Sequence, residues 1–305
     1  QSKAVSLLVQ TRKEKHTEGS YELGIIYMYG IGGQRKKVNE AYLIFKELVD
    51  DKKHVPSMFE LGKYYVENKK NDEELKNGIK LIKKASDLGD PKAINYLGYC
   101  YYNGIGVKID PSKAADLFDK AISAGNSYAK INLGQCYLEG NGRIKNEERG
   151  FNLLLEAPQE DPATKCRLGV CYYKGVGVEK DVQKGISYLK EAAEQHDMNA
   201  MCYYGKMLME GTIVQMDKDK AIEYFKESAR MGQAEAKYQF GKIFKEGYGM
   251  IPKDENSAIS LFRESSDKGF PKASYILGMH YFYKLNLKKE GVEFFEKASK
   301  FYHPE

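Results

Sequence analysis

The tetrads Ser127-x-x-Lys130 and Ser187-x-x-Lys190 have the spacing of a serine nucleophile with a nearby lysine amine. That pattern belongs to acyl-transfer enzymes that also carry Ser-Asp-Asn and Lys-Thr-Gly elements. Neither companion occurs here, and so short a pattern arises by chance in a chain this rich in lysine. Five cysteines (Cys100, Cys136, Cys166, Cys171, Cys202) raise the question of a thiolate metal site. A site built on Cys166, Cys171 and Cys202 would need a fourth ligand and the usual short Cys-x₂₋₄-Cys pairs, and the five read instead as small thiols lining the core. The Gly-x-Gly segments could suggest phosphate cradles, but none follows a strand or is followed by Lys-Ser/Thr. The five histidines (His16, His54, His196, His280, His303) are scattered, with no His-Glu-x-x-His and no acid dyad. No catalytic, metal or cofactor site emerges, and the chain reads as a non-enzyme.

Composition narrows the remaining classes. Of 305 residues, 30% are charged and 42% hydrophobic, enough apolar material for a substantial core and too much for a disordered tail. No apolar run approaches the roughly 20 residues of a membrane span. The net charge of +5 comes from 48 basic and 43 acidic residues interspersed along the chain. Nucleic-acid readers concentrate their cations. The basic runs at 34–37, 68–70 and 80–84 are mostly flanked by acids and read as solvated faces. An odd, low cysteine count, no Asn-x-Ser/Thr sequon and no apolar leader at the N-terminus point to a reduced, cytoplasmic setting.

The 29 glycines and 24 tyrosines, with no tryptophan, call for a structural cause. Gly24, Gly62, Gly98, Gly134, Gly169, Gly205, Gly241 and Gly278 recur every 35 to 38 residues, each usually preceded by Leu. Five residues before the Gly stands a small residue (Ser57, Ala93, Ala129, Thr164, Ala200, Ala236, Ala273). Three after it stands an aromatic (Tyr27, Tyr65, Tyr101, Tyr137, Tyr172, Phe244, Tyr281), with Leu208 the exception. Offsets of −5, −1 and +3 share one helical face. Pro56, Pro91, Pro162 and Pro271 suit the first turn of this first helix. A glycine-rich turn follows, then an acidic position (Asp110, Asp181, Asp219, Asp254). A second helix then pairs a small residue with a large one four on: Ala41/Phe45, Gly78/Ile82, Ala114/Phe118, Gly150/Leu154, Gly185/Leu189, Ala221/Phe225, Ala258/Phe262 and Gly291/Phe295. Gly89, Gly125, Gly232 and Gly269 fit left-handed C-caps of these second helices.

A mid-helix Gly costs about 1 kcal/mol, so eight of them need a packing reason. Lacking Cβ, each lets the large residue of the second helix approach the first. One pair cannot bury its apolar face alone, and stacked pairs share a continuous core.

The string Ala…Leu-Gly-x-x-Tyr-x-x-Gly-x-Gly-Val…Asp…Lys-Ala…Phe-x-Lys-Ala, clearest at residues 90–125, resembles the Sel1-like repeat, a relative of the tetratricopeptide repeat. The resemblance covers about residues 17–302. It implies an all-α, right-handed superhelical solenoid of antiparallel helix pairs and the role of an adaptor holding proteins together. Some disulfide-rich relatives are linked to penicillin binding or hydrolysis, so a β-lactamase-like hydrolase is an alternative, as is a nucleic-acid-binding solenoid. The five cysteines all lie on first helices, unlike the paired cysteines of that branch. The second repeat replaces its loop glycines with Glu67-Asn68-Lys69-Lys70-Asn71, and the eighth shortens its loop to Lys284–Leu287. Ala157-Pro158 ends the fourth second helix abruptly.

The expected organisation is a second helix of a truncated preceding repeat at 1–16, then one solenoid over 17–302. Its repeats fall at about 17–54, 55–89, 90–125, 126–160, 161–196, 197–232, 233–269 and 270–302, with a possible ninth opening at 303–305. In such arrays first helices line a concave groove, and registers −3, −2, +1 and +5 face solvent. Those registers give a candidate partner-binding surface of Asn95, Tyr96, Tyr99, Asn132, Gln135, Arg167, Tyr203, Lys206, Gln239 and Lys242. Amides can bond a peptide backbone, Arg and Lys suit a carboxylate, and Tyr offers flat amphipathic contact. The expected partner is a protein or extended peptide, with no nucleic acid and no membrane span.

Overall fold

The computed structural model describes residues 2–302; the expected ninth opening at 303–305 lies outside them. Helices appear in the order α1 (Ser2–Lys13), α2 (Thr17–Tyr29), α3 (Val38–Lys52), α4 (Val55–Glu67), α5 (Asp72–Asp87), α6 (Pro91–Asn103), α7 (Pro111–Ser123), α8 (Ala129–Glu139) and α9 (Glu147–Leu155). They continue as α10 (Pro162–Lys174), α11 (Val182–Glu194), α12 (Met198–Glu210), α13 (Lys218–Arg230), α14 (Ala234–Glu246), α15 (Glu255–Asp267), α16 (Pro271–Met279) and α17 (Lys288–Tyr302). Among the described residues the only β feature is one antiparallel bridge between Tyr248 and Ile251. Across the described residues the protein is an all-helical array of antiparallel pairs, as the periodicity predicts.

The chain divides into two compact units, Gln1–Pro158 and Gln159–Glu305. Within each, every helix packs against those before and after it in sequence. In the first unit Phe45, Ile82, Phe118 and Leu154 of the second helices and Leu23, Leu61, Leu97 and Leu133 of the first are all buried, Phe45 clustering with Leu61, Ile82 with Leu97 and Phe118 with Leu133. In the second, Leu189 and Phe225 cluster with Tyr204, and Phe262 with Leu277.

Gly98 shows why the mid-helix glycine is needed: a Cβ there would stand 2.6 Å from Phe118 Cε1 and 3.1 Å from the Ala114 carbonyl oxygen. Side-chain caps start the second helices. Asn71, Asp110, Asn146, Asp181, Asp217 and Asp254 each accept a hydrogen bond from a backbone N–H three residues on. In the sixth repeat the cap is therefore Asp217 and not Asp219, which lies inside α13. The reason is the loop length, since Asp217 follows Gly211 by the interval that separates Asp110 from Gly104.

The divergent repeats fold differently where their loops differ. α4 ends at Asn68 with φ −111°, where α6 ends on the left-handed Gly104. In the eighth repeat the first helix runs into a π turn, His280–Lys284, and Asn286 takes φ +55°. α9 is nine residues long and stops at Leu155, just before Ala157-Pro158.

Candidate partner-binding surface

Four of the expected residues come together in the first unit. A cavity of about 620 Å³ is lined by Asn95, Tyr96 and Tyr99 of α6 and Asn132 of α8, with Lys63, Val66, Glu67, Lys69 and Ile105. Asn132 Nδ2 donates to Asn95 Oδ1 at 2.9 Å, linking adjacent first helices through registers −2 and −3. That bond uses one donor and one acceptor of the pair. The Asn95 amide nitrogen and the Asn132 oxygen form no other hydrogen bond among the described residues, so both can serve a peptide backbone. The Tyr96 ring packs edge-on against Phe59 at 5.9 Å and lies 6.0 Å from Tyr99. Burial, then the charge of Glu67, pushes the Tyr96 phenol up, so it stays a neutral hydrogen-bonding group. Gln135 does not line the cavity: its amide is held by Glu139, which also accepts from the Tyr102 hydroxyl.

The other five expected residues lie in the second unit. Lys206 Nζ pairs with Glu235 Oε1 at 2.7 Å and sits 4.8 Å from the Tyr203 ring centroid, and Lys174 approaches the same ring at 5.9 Å. Burial, the largest single influence on Lys206, lowers its pKa, but the hydrogen bond and the charge of Glu235, with Cys202 and Tyr203, together raise it above the ordinary lysine value. Arg167 Nε is buried without a hydrogen-bond partner. Gln239 and Lys242 are half-buried.

Register −2 is not uniformly solvent-facing, which corrects the periodicity reading. Glu60 is 4% exposed because the first helix of the preceding repeat covers it. Tyr29 Oη donates to Glu60 Oε2 at 2.7 Å, and Lys63 Nζ lies 3.4 Å from the same hydroxyl. Burial raises the Glu60 pKa, opposed by the Tyr29 hydrogen bond and by Lys63 and Lys92. Sequence reasoning also missed Lys63, Val66, Lys69 and Ile105. Lys63 shares register +1 with Tyr99, so register alone could have found it. Lys69 and Ile105 sit in loops whose course the helix period does not determine.

The catalytic-looking motifs are differently engaged. Lys130 Nζ pairs with Glu156 at 2.8 Å, and Ser187 Oγ lies 3.5 Å from Glu191 Oε1. All five cysteines are buried and unbridged, and burial pushes the thiols of Cys100 and Cys202 up to about 12. Buried thiols of this kind are inert. His16 caps α2 by accepting from the Gly19 N–H at 3.1 Å. His54 Nδ1 meets Ser57 Oγ at 2.9 Å, and His196 Nδ1 meets Glu227 Oε1 at 2.8 Å. Among the described residues no helix is long and apolar enough to cross a membrane.

Antiparallel helix pairs packed one after another define an α-repeat protein. The family model of the Sel1 repeat matches residues 17–47, 55–90, 91–126, 127–157, 162–197, 199–233 and 234–270, and the chain belongs to that family. The eighth helix pair lies outside the matched segments. Cytochrome c oxidase assembly factor 7A of Xenopus laevis is 28% identical over 162 residues, covering 52% of this chain and 70% of that protein. Human protein sel-1 homolog 2 is 29% identical over 146 residues, covering 46% of this chain and only 20% of that protein. The crystal structure of a Sel1 repeat protein from Oxalobacter formigenes superposes with a TM-score of 0.55 at 29% identity, covering 79% of this chain and 99% of that one.

Proposed function

We propose that the chain is a non-catalytic scaffold that docks a protein or extended peptide segment against the first helices of its repeats. The observation that carries this reading is the cavity of about 620 Å³ where Asn95, Tyr96, Tyr99 and Asn132 converge. Two amide groups offer a donor and an acceptor, and two tyrosines supply amphipathic area at little entropic cost. Arg167, Tyr203, Lys206, Gln239 and Lys242 form a second, more basic set in the other unit, with Gln135 beside the first. The low, odd cysteine count suits a reducing compartment such as the cytoplasm. One relative is named an oxidase assembly factor, a role that fits a scaffold.

The test is affinity enrichment with the purified chain as bait, wild type beside N95A/Y99A/N132A, quantified by mass spectrometry. Circular dichroism confirms that both baits are folded. Partners depleted selectively from the variant place docking at this cavity. An unchanged partner list removes the cavity from the binding surface.

A further inference from the structure

Within the first unit the loop after a first helix lies on the preceding second helix, and two such slots invite direct comparison. At α7 the slot is closed from within. Arg143 Nη2 meets Asp116 Oδ1 at 2.8 Å and Asp119 Oδ2 at 2.7 Å, with the Arg143 side chain 22% exposed. Gly142 brings that loop onto the helix: a Cβ there would stand 2.1 Å from the Pro111 carbonyl oxygen. At α5, the preceding slot, the equivalent loop glycine also lies on the helix, here against its side chains: a Cβ on Gly106 would fall 2.7 Å from Ile79 Cγ1 and 3.1 Å from Leu75 Cγ.

The charges are inverted there. Counted from the small residues Ala114 and Gly78, the positions of Asp116 and Asp119 are taken by Lys80 and Lys83. Counted from the loop glycines, Arg143 is replaced by Val107. No other second helix carries a cation at both positions. The bridging side chain is gone, and a cavity of about 530 Å³ remains, lined by Lys76, Lys80, Lys83 and Lys84 with one carboxylate, Asp87, over Ile79 and Gly106. None of these four lysines forms an ion pair among the described residues. Spaced three and four apart on one helix, they repel one another, and a bound anion relieves that repulsion.

We propose that this slot docks an acidic segment of a partner protein, with carboxylates one helical turn apart facing Lys80 and Lys83 as Asp116 and Asp119 face Arg143. The extent of the strip favours a short segment over a polyanion. Lys76 to Lys84 spans about 12 Å of helix. Asp72, Glu73 and Glu74 bound it at one end and Asp87 at the other, so a phosphate backbone running past it meets repulsion at both ends.

The probe is a fluorescein-labelled, alanine-rich peptide with two Glu pairs at i, i+3, read by fluorescence anisotropy beside a twin with Gln at those positions. A short single-stranded RNA is the third ligand. Two variants of the full chain are compared with wild type: K80A/K83A, and Lys80→Asp/Lys83→Asp/Val107→Arg, which rebuilds the α7 arrangement. The expected result is binding of the Glu peptide that weakens with salt and falls about tenfold or more in both variants, with the Gln twin bound weakly throughout. Should the triple variant fail to fold, K80A/K83A decides alone. Equal binding of the Glu and Gln peptides overturns the proposal, as does undiminished binding by the folded variants. RNA that binds more tightly than the Glu peptide and is lost in the variants also overturns it, assigning the slot to nucleic acid.

Discussion

Glu60 is a carboxylate placed where two first helices press together, and its behaviour follows from that placement. The side chain is 4% exposed and accepts one hydrogen bond from Tyr29. Burial, its largest influence, raises its pKa above the ordinary carboxylate value. The folded state therefore binds more protons than the unfolded state between the two pKa values, so stability falls as pH rises through that window. The penalty then persists at neutral pH. Glu60→Gln keeps an acceptor for Tyr29 and removes the charge. Its stability in urea should match wild type near about pH 4 and exceed it at about pH 7. A variant less stable than wild type at neutral pH would contradict this account. The same residue marks a limit of periodicity. Register −2 carries Glu60, Tyr96 and Asn132, and a helical wheel treats them alike. Which of them is covered depends on the neighbouring repeat, here Tyr29, 31 residues away. Asn95 and Asn132 were legible because both their registers face the cavity.

At the scale of the element, six of the second helices, α5, α7, α9, α11, α13 and α15, start on a single side-chain oxygen. Asp217 Oδ1 accepts from the Lys220 N–H at 3.0 Å, whereas Asp219 is an exposed residue within the first turn of α13. Replacing an N-cap acid with Ala costs about 1 kcal/mol, while an exposed first-turn acid contributes only a few tenths through the helix dipole. Asp217→Ala should therefore lower the chemical denaturation midpoint clearly, and Asp219→Ala much less. The reverse order would mean that the helix begins later than Lys218. Helix pairs, first-turn prolines and left-handed glycine ends were all readable from the 36-residue period. The loops were not: the π turn at His280–Lys284 and the Asn68 end of α4 arise where glycines are missing, and no periodic signal says what replaces them.

At the scale of the whole molecule, helices that pack chiefly against their sequence neighbours, with lesser contacts between successive first helices, make stability a sum of repeat and interface contributions. Ala157-Pro158 signals the abrupt end of a helix, and equal repeat spacing on either side gives no sign that the chain divides into two compact units after Pro158. Phe118 tests how local the summation is. It is 2% exposed, lies against Gly98 and belongs to a cluster with Ile94, Ala114 and Leu133. Truncating a buried Phe costs about 3–5 kcal/mol, which in a globular core would loosen every element together. In an array the loss should be confined. Phe118→Ala is expected to strip hydrogen-exchange protection first from α6, α7 and α8, with α12 to α15 keeping wild-type protection under the same conditions. Protection lost equally from all helices would show instead that the array opens as one cooperative block, and nearest-neighbour energetics would not describe this chain.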